Sequence, residues 1–177
     1  MCSICCCLYY FCENSAKLVT TIWLKIESVI YWIYNPVQQV FDFVSEPEKD
    51  FLWQYGTLET ARLSGDVNIT GSHYRSIGHF MGRRNLSTFE VAEYKPNKKY
   101  SIKSISGPLH SQTSYTFETV NSGTKINVSI QASLANFHHI DEGLVEKSLK
   151  RQLKENLVLL KNLLETNYIL LDSETNS

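Results

Sequence analysis

The stretch EVAEYKPNKKYSIKSISGP, residues 90–108, decides how the chain folds. Polar and apolar residues alternate on both sides of Lys95-Pro96-Asn97-Lys98-Lys99, the period of a strand with one wet face and one dry face. Pro96 presets the first corner of the turn, and Asn97 tolerates the second. The stretch therefore predicts a β-hairpin. Nothing in it has the form of a nucleophile motif, a metal-ligand pair or a phosphate loop.

The same period extends outward over Gly56 to Ala132. TLETARL precedes a turn at Ser64-Gly65-Asp66, and SHYRSIGHF follows Gly71 and ends at Met81-Gly82-Arg83-Arg84-Asn85. LSTFEVAEY, YSIKSIS, HSQTSYTFETV and TKINVSIQASL complete six short strands divided by Gly, Pro and Asn, an antiparallel meander. Upstream, WLKIESVIYWIY (23–34) is a further strand with Leu24, Ile26, Ser28, Ile30, Trp32 and Tyr34 on one face. Asn35-Pro36 stops it. Val37, Val40, Phe41 and Val44 then fall at helical spacing, and Pro47 starts a second short helix that Gly56 ends. Downstream, from about Ile140 to Thr166, Val145, Leu149, Leu153, Leu157, Leu160 and Leu164 form one stripe. Lys147, Lys150, Arg151, Lys154 and Lys161 lie opposite it, so a single long amphipathic helix is expected.

The predicted class is α+β: a seven-stranded antiparallel sheet curled around a long C-terminal helix, with two short helices after the first strand. The sheet has one apolar face, and only the long helix is large enough to cover it. A twisted sheet wrapped on one helix leaves a gap between them, a natural place for an apolar ligand.

Size and charge agree. The chain has 177 residues, 43% hydrophobic and 20% charged, with a formal net charge of −1. This suits one domain at 23–166, preceded by a Cys-rich extension at 1–22 and followed by a polar tail at 167–177. The near-neutral balance argues against nucleic acid as a partner. All five cysteines, Cys2, Cys5, Cys6, Cys7 and Cys12, precede residue 13, so no disulfide framework is expected in the domain and a cytoplasmic location fits. The N-terminal cluster admits three readings: a disordered extension or misassigned start, S-acylation giving weak membrane association, or a thiolate metal site. Adjacent cysteines lack the paired spacing of zinc ligands, and no basic segment marks a signal peptide.

The stretch from about Glu27 to Glu165 resembles the polyketide cyclase/dehydrase-like branch of the START-like (SRPBCC) superfamily. NPVQQVFDFVSEPE with Trp53 after it, GSHYR, MGRRNLSTFEVAEYKPNKKYSIKSISGP, SYTFETVNSGTKINVSI and the leucine-rich helix carry the resemblance, across roughly four fifths of the chain. It implies a helix-grip fold. It leaves activity open, since members of that superfamily include cyclases and carriers of hydrophobic ligands.

The expected function is binding of a small hydrophobic or lipid-like molecule. Trp53, Tyr74, Phe80, Phe89, Ile102, Ser104, Tyr115, Phe117, Val128, Leu149 and Leu153 are expected to line its site, with no cofactor and no metal. A polyketide cyclase or dehydratase is the alternative, and a partner-binding module with a filled cavity is a third. On the strand from His73 to Phe80, Tyr74, Ser76, Gly78 and Phe80 are expected inward, with His73, Arg75, Ile77 and His79 outward. Ser104, Ser111, Thr113 and Tyr115 offer hydroxyls to a ligand's polar end, and Asn156 borders the helix's buried stripe. His138-His139 with Asp141 and Glu142 reads as the first turn of the helix and not as a metal site, because neighbouring helical side chains diverge by about 100°. No catalytic set is apparent: Glu90 and Glu118 alternate with inward residues and so face out.

Overall fold

A computed structural model describes the chain at residues 23–66, 69–133 and 141–175. Seven strands form one antiparallel sheet in the order β1-β7-β6-β5-β4-β3-β2. They are β1 (Trp23–Ile33), β2 (Thr57–Ser64), β3 (His73–Phe80), β4 (Arg83–Lys95), β5 (Lys99–Ser106), β6 (His110–Val120) and β7 (Gly123–Ser133). Helices α1 (Val37–Val44) and α2 (Asp50–Trp53), joined by a 3-10 turn at Pro47–Lys49, separate β1 from β2, and α3 (Glu142–Thr175) closes the chain. The helix-grip order expected from the sequence is the observed one. The N-terminal cysteines and the His138-His139 pair lie outside the described residues.

Three local expectations change. The turn after Phe80 is only Met81-Gly82, both at positive φ, and β4 starts at Arg83, so the two arginines belong to a strand. In β1, pairing with β7 slips between Ile26 and Val29, placing two residues opposite Ser129 alone. That bulge exchanges the two faces of the strand. Val29, Tyr31 and Ile33 therefore join Ile26 on the inner side, while Ile30, Trp32 and Tyr34 are exposed. Finally, α3 runs to Thr175, nine residues past Thr166. No Gly or Pro follows Thr166 to end it.

The core lies between the inner face of the sheet and α3, whose Val145, Leu149, Leu153, Leu157, Leu160 and Leu164 are all buried. Asp141 starts the helix by accepting the Leu144 N–H on its carboxylate at 3.1 Å. Further along, at Lys161–Glu165, the helix is stapled to the β1 edge. Lys161 donates to the Trp32 carbonyl at 2.8 Å, Glu165 accepts the Tyr34 N–H at 2.9 Å, and Asn35 donates to the Leu164 carbonyl at 3.2 Å. Under α1 the core is filled: Phe41 meets Phe117 and Tyr94 edge-on, each at 5.2 Å between ring centres. Lys95 and Lys99 at the Pro96-Asn97 hairpin both pair with Glu93, which holds that carboxyl below its ordinary value.

Candidate functional site

The core is hollow towards the other end of the sheet, and the inward positions there explain why. Along β3 they pass from Tyr74 to Ser76 and Gly78, along β5 from Tyr100 to Ile102 and Ser104, and along β6 from Phe117 and Tyr115 to Thr113 and Ser111. Ser76 pairs directly with Ser87, Phe89 with Ser104, and Ile102 with Thr113. Each of these register pairs thus contains at least one small residue, where large ones fill the opposite end. The space they leave is a cavity of about 260 Å³. That is just under the usual range for ligand pockets, roughly 300–1,000 Å³.

Helices roof this space. Leu149, Gln152, Leu153 and Asn156 reach it from α3, and Asp50 and Gln54 from α2 and the residue after it. The α2–β2 connection is clamped to α3 by both backbone groups of Tyr55. Asn156 accepts its N–H at 2.7 Å, and Gln152 donates to its carbonyl at 2.8 Å. Beneath the clamp two backbones nearly touch: a Cβ on Gly78 would lie 2.6 Å from the Gly56 carbonyl, and one on Gly56 would lie 2.8 Å from that of His79. Only glycine fits both positions, and Gly56 is also at φ +91°.

Seven of the expected wall residues border the cavity: Phe80, Phe89, Ile102, Ser104, Tyr115, Leu149 and Leu153. Trp53, Tyr74, Phe117 and Val128 do not. They are packed into the filled core, Tyr74 against Phe89 and Trp53 edge-on to Tyr115. All of them point inward as expected, but position along the strand decides whether an inward side chain meets space or protein. The expected hydroxyls of Ser111 and Thr113 also border the cavity, and so does Asn156. The Ser104 hydroxyl already accepts the Ser111 N–H at 2.8 Å. His73, Arg75, Glu90 and Glu118 face outward, and all four meet a partner across strands: Arg75 pairs with Glu59 at 3.8 Å, Lys125 with Glu118 at 2.9 Å, and His73 lies 3.9 Å from the Glu90 carboxylate.

The group missed from the sequence is Asp50. It sits on a helix of four residues, too short for hydrophobic periodicity to assign its direction. Its residue is buried, it borders the cavity, and its carboxyl is hydrogen-bonded to the Gln54 side chain. Burial holds the carboxyl well above the ordinary carboxylate range, and the Gln54 hydrogen bond offsets this only in part. Tyr115 is raised in turn, by its own burial and then by the negative charge Asp50 would carry, and Tyr100 likewise. The Tyr100 hydroxyl is buried with no hydrogen-bond partner among the described residues. No cluster of three His, Cys, Asp or Glu side chains suited to a metal ion occurs among the described residues, and none of their helices is long and apolar enough to cross a membrane.

No known family profile matches the sequence, and no curated protein does. Solved structures do match. A START superfamily protein from Mycobacterium smegmatis superposes with a TM-score of 0.70 at 13% identity, over 80% of this chain and 97% of that one. The Zhui aromatase/cyclase from Streptomyces sp. R1128 gives 0.67 at 11% identity, over 81% and 94%. The major latex-like protein 151 of Panax ginseng gives 0.64 at 11% identity, over 80% and 97%. With the element order, the sheet topology and the long covering helix, these likenesses give the chain a START-like (SRPBCC) helix-grip fold.

Proposed function

We propose that the chain binds a small hydrophobic or lipid-like molecule between the sheet and α3. The carrying observation is the band of small inward residues, Ser76, Gly78, Ser87, Ser104, Ser111 and Thr113, which leaves about 260 Å³ inside an otherwise packed core. Well-packed interiors hold few voids larger than a water molecule. Burial of apolar ligand surface at about 25 cal/mol per Å² would drive binding. The unfilled volume also weighs against a module whose core is entirely occupied by its own side chains. Native mass spectrometry of protein purified from its own cells, set against its denatured mass, tests the reading. A co-purifying small molecule supports it. Protein that is empty and takes up no apolar probe sinks it.

A second reading, a cyclase or dehydratase acting on a polyketide-like substrate, is favoured by one observation: a protonatable carboxyl, Asp50, inside the cavity beside Tyr115. Such a group can supply a proton to a carbonyl or a leaving hydroxyl. Incubation with a poly-β-ketone thioester tests it, and product formation unaffected by Asp50→Asn would remove Asp50 from that role. The cysteine-free domain supports a cytoplasmic location. Weak membrane association through acylated Cys2, Cys5, Cys6, Cys7 or Cys12 would be sensitive to hydroxylamine, and a fraction unchanged by that reagent would refute acylation.

A further inference from the structure

We propose that the cavity selects an uncharged ligand carrying a hydroxyl or carbonyl oxygen, that it discriminates against carboxylates of the same shape, and that Asp50 is the residue that reads the oxygen. The proposal rests on the binding reading above and specifies its ligand class.

Three observations carry it. First, the wall holds no lysine and no arginine: its charged or chargeable members are Asp50, Tyr115 and the exposed His79. A carboxylate entering this space would lose hydration without gaining a cation, a cost that ligands normally offset with such a partner. Second, hydrogen-bonding groups are dense for so small a cavity. Gln54, Asn85, Gln152 and Asn156 contribute amides and Ser76 and Ser104 hydroxyls that already bond within the chain, while Ser87, Ser111, Thr113 and Tyr115 add further hydroxyls. A purely hydrocarbon ligand would strip water from those further hydroxyls and return nothing. Third, Asp50 is buried at the roof with Gln54 as its side-chain partner, so a protonated carboxyl keeps its O–H for a ligand oxygen. Burial favours that protonated form, and no cation among the described residues reverses the preference. The titratable side chains that feel its charge are Tyr100 and Tyr115, and both are themselves held neutral. The volume suits a compact molecule of one or two rings.

Equilibrium dialysis of the full chain with naphthalene, 2-acetylnaphthalene and 2-naphthoate at pH 7 tests this. The three probes share one ring system and differ in the polar group. The expected order places 2-acetylnaphthalene at least tenfold tighter than both others. Asp50→Leu, which removes the donor, should bring 2-acetylnaphthalene down to the affinity of naphthalene. Asp50→Asn, which keeps a neutral N–H donor, should retain the preference. Naphthalene binding with no gain from the acetyl group, or naphthoate binding as tightly as 2-acetylnaphthalene, would overturn the ligand class and leave the pocket reading standing. Failure of all three probes to bind would overturn both. If Asp50→Leu does not fold, Asp50→Asn with 2-naphthoate decides: a preference lost in that variant overturns the donor role.

Discussion

Asn156 of the long helix and the backbone N–H of Tyr55, 101 residues apart in sequence, are joined by a 2.7 Å hydrogen bond that fixes one rim of the cavity. Gln152, one helical turn earlier, holds the carbonyl of the same residue. A helix side chain spaced i, i+4 from another can thus grip both faces of one peptide position in the loop opposite. These two bonds tie the loop that roofs the cavity to α3.

Removing the acceptor should be costly. In Asn156→Leu the Tyr55 N–H loses its partner in a part-buried bond, so stability should fall by about 0.5–1.5 kcal/mol, the net worth of a typical hydrogen bond. Gln152→Ala should cost less, because Gln152 is half-exposed and water can replace it. Urea unfolding of the two variants measures both. Equal losses would show that the clamp is not centred on Asn156.

Filling the cavity separates its wall from the packed core. Ser76→Phe adds a ring at an inward position that borders the space, so it should lower affinity for 2-acetylnaphthalene more than tenfold with the circular dichroism spectrum kept. Val128→Trp should behave differently. Val128 is fully buried away from the cavity, so the added volume strains the core and should cost about 1–3 kcal/mol or more of stability. Equal effects of the two substitutions on both readouts would contradict the division between a hollow and a filled end.

That division also marks what could be read from the sequence. The strands were legible because turn residues such as Pro96-Asn97, Gly107-Pro108 and Asn121 punctuate a clean period of two. Inward direction on β3, β5, β6 and β7 followed from the same period. The β1 face was not legible beyond Ile26, since the bulge at residues 27–28 depends on pairing with β7 and leaves no local mark. The wall was legible only in part. Large inward side chains suggest a ligand site, but here Trp53, Tyr74, Phe117 and Val128 occupy space, and the site is where Ser76, Gly78 and Ser104 decline to. Their alignment requires the register between strands, which no single stretch contains. Asp50 escaped because a four-residue helix shows no periodicity.

The staple on the β1 edge predicts a local effect. Glu165 accepts from the Tyr34 N–H and also pairs with Lys161, which in turn donates to the Trp32 carbonyl. Glu165→Ala should leave the global unfolding midpoint within about 1 kcal/mol of the parent, because these groups are partly solvated. Hydrogen exchange at Tyr34 should nevertheless accelerate several-fold, since a frayed β1 end opens without unfolding the sheet. Unchanged exchange at Tyr34 would mean that Glu165 of α3 does not hold the strand.

The last prediction concerns pH. The Asp50 carboxyl is raised above its unfolded value of about 3.9 by burial, so the native chain keeps a proton that the unfolded chain has released. Below about pH 3.9 both states are protonated and the contribution of Asp50 to stability is fully present. As pH rises the unfolded state loses its proton first, and stability falls until the native carboxyl ionises as well. Asp50→Asn has the same shape and cannot ionise, so its stability should lack this decline. The melting temperature of the variant minus that of the parent should therefore increase from about pH 3.5 to pH 7, each pKa unit of elevation being worth about 1.4 kcal/mol. A difference that stays constant over that window, or moves the other way, would mean that Asp50 is ionised in the native cavity. An oxygen-bearing ligand would then meet an acceptor at the roof and not a donor.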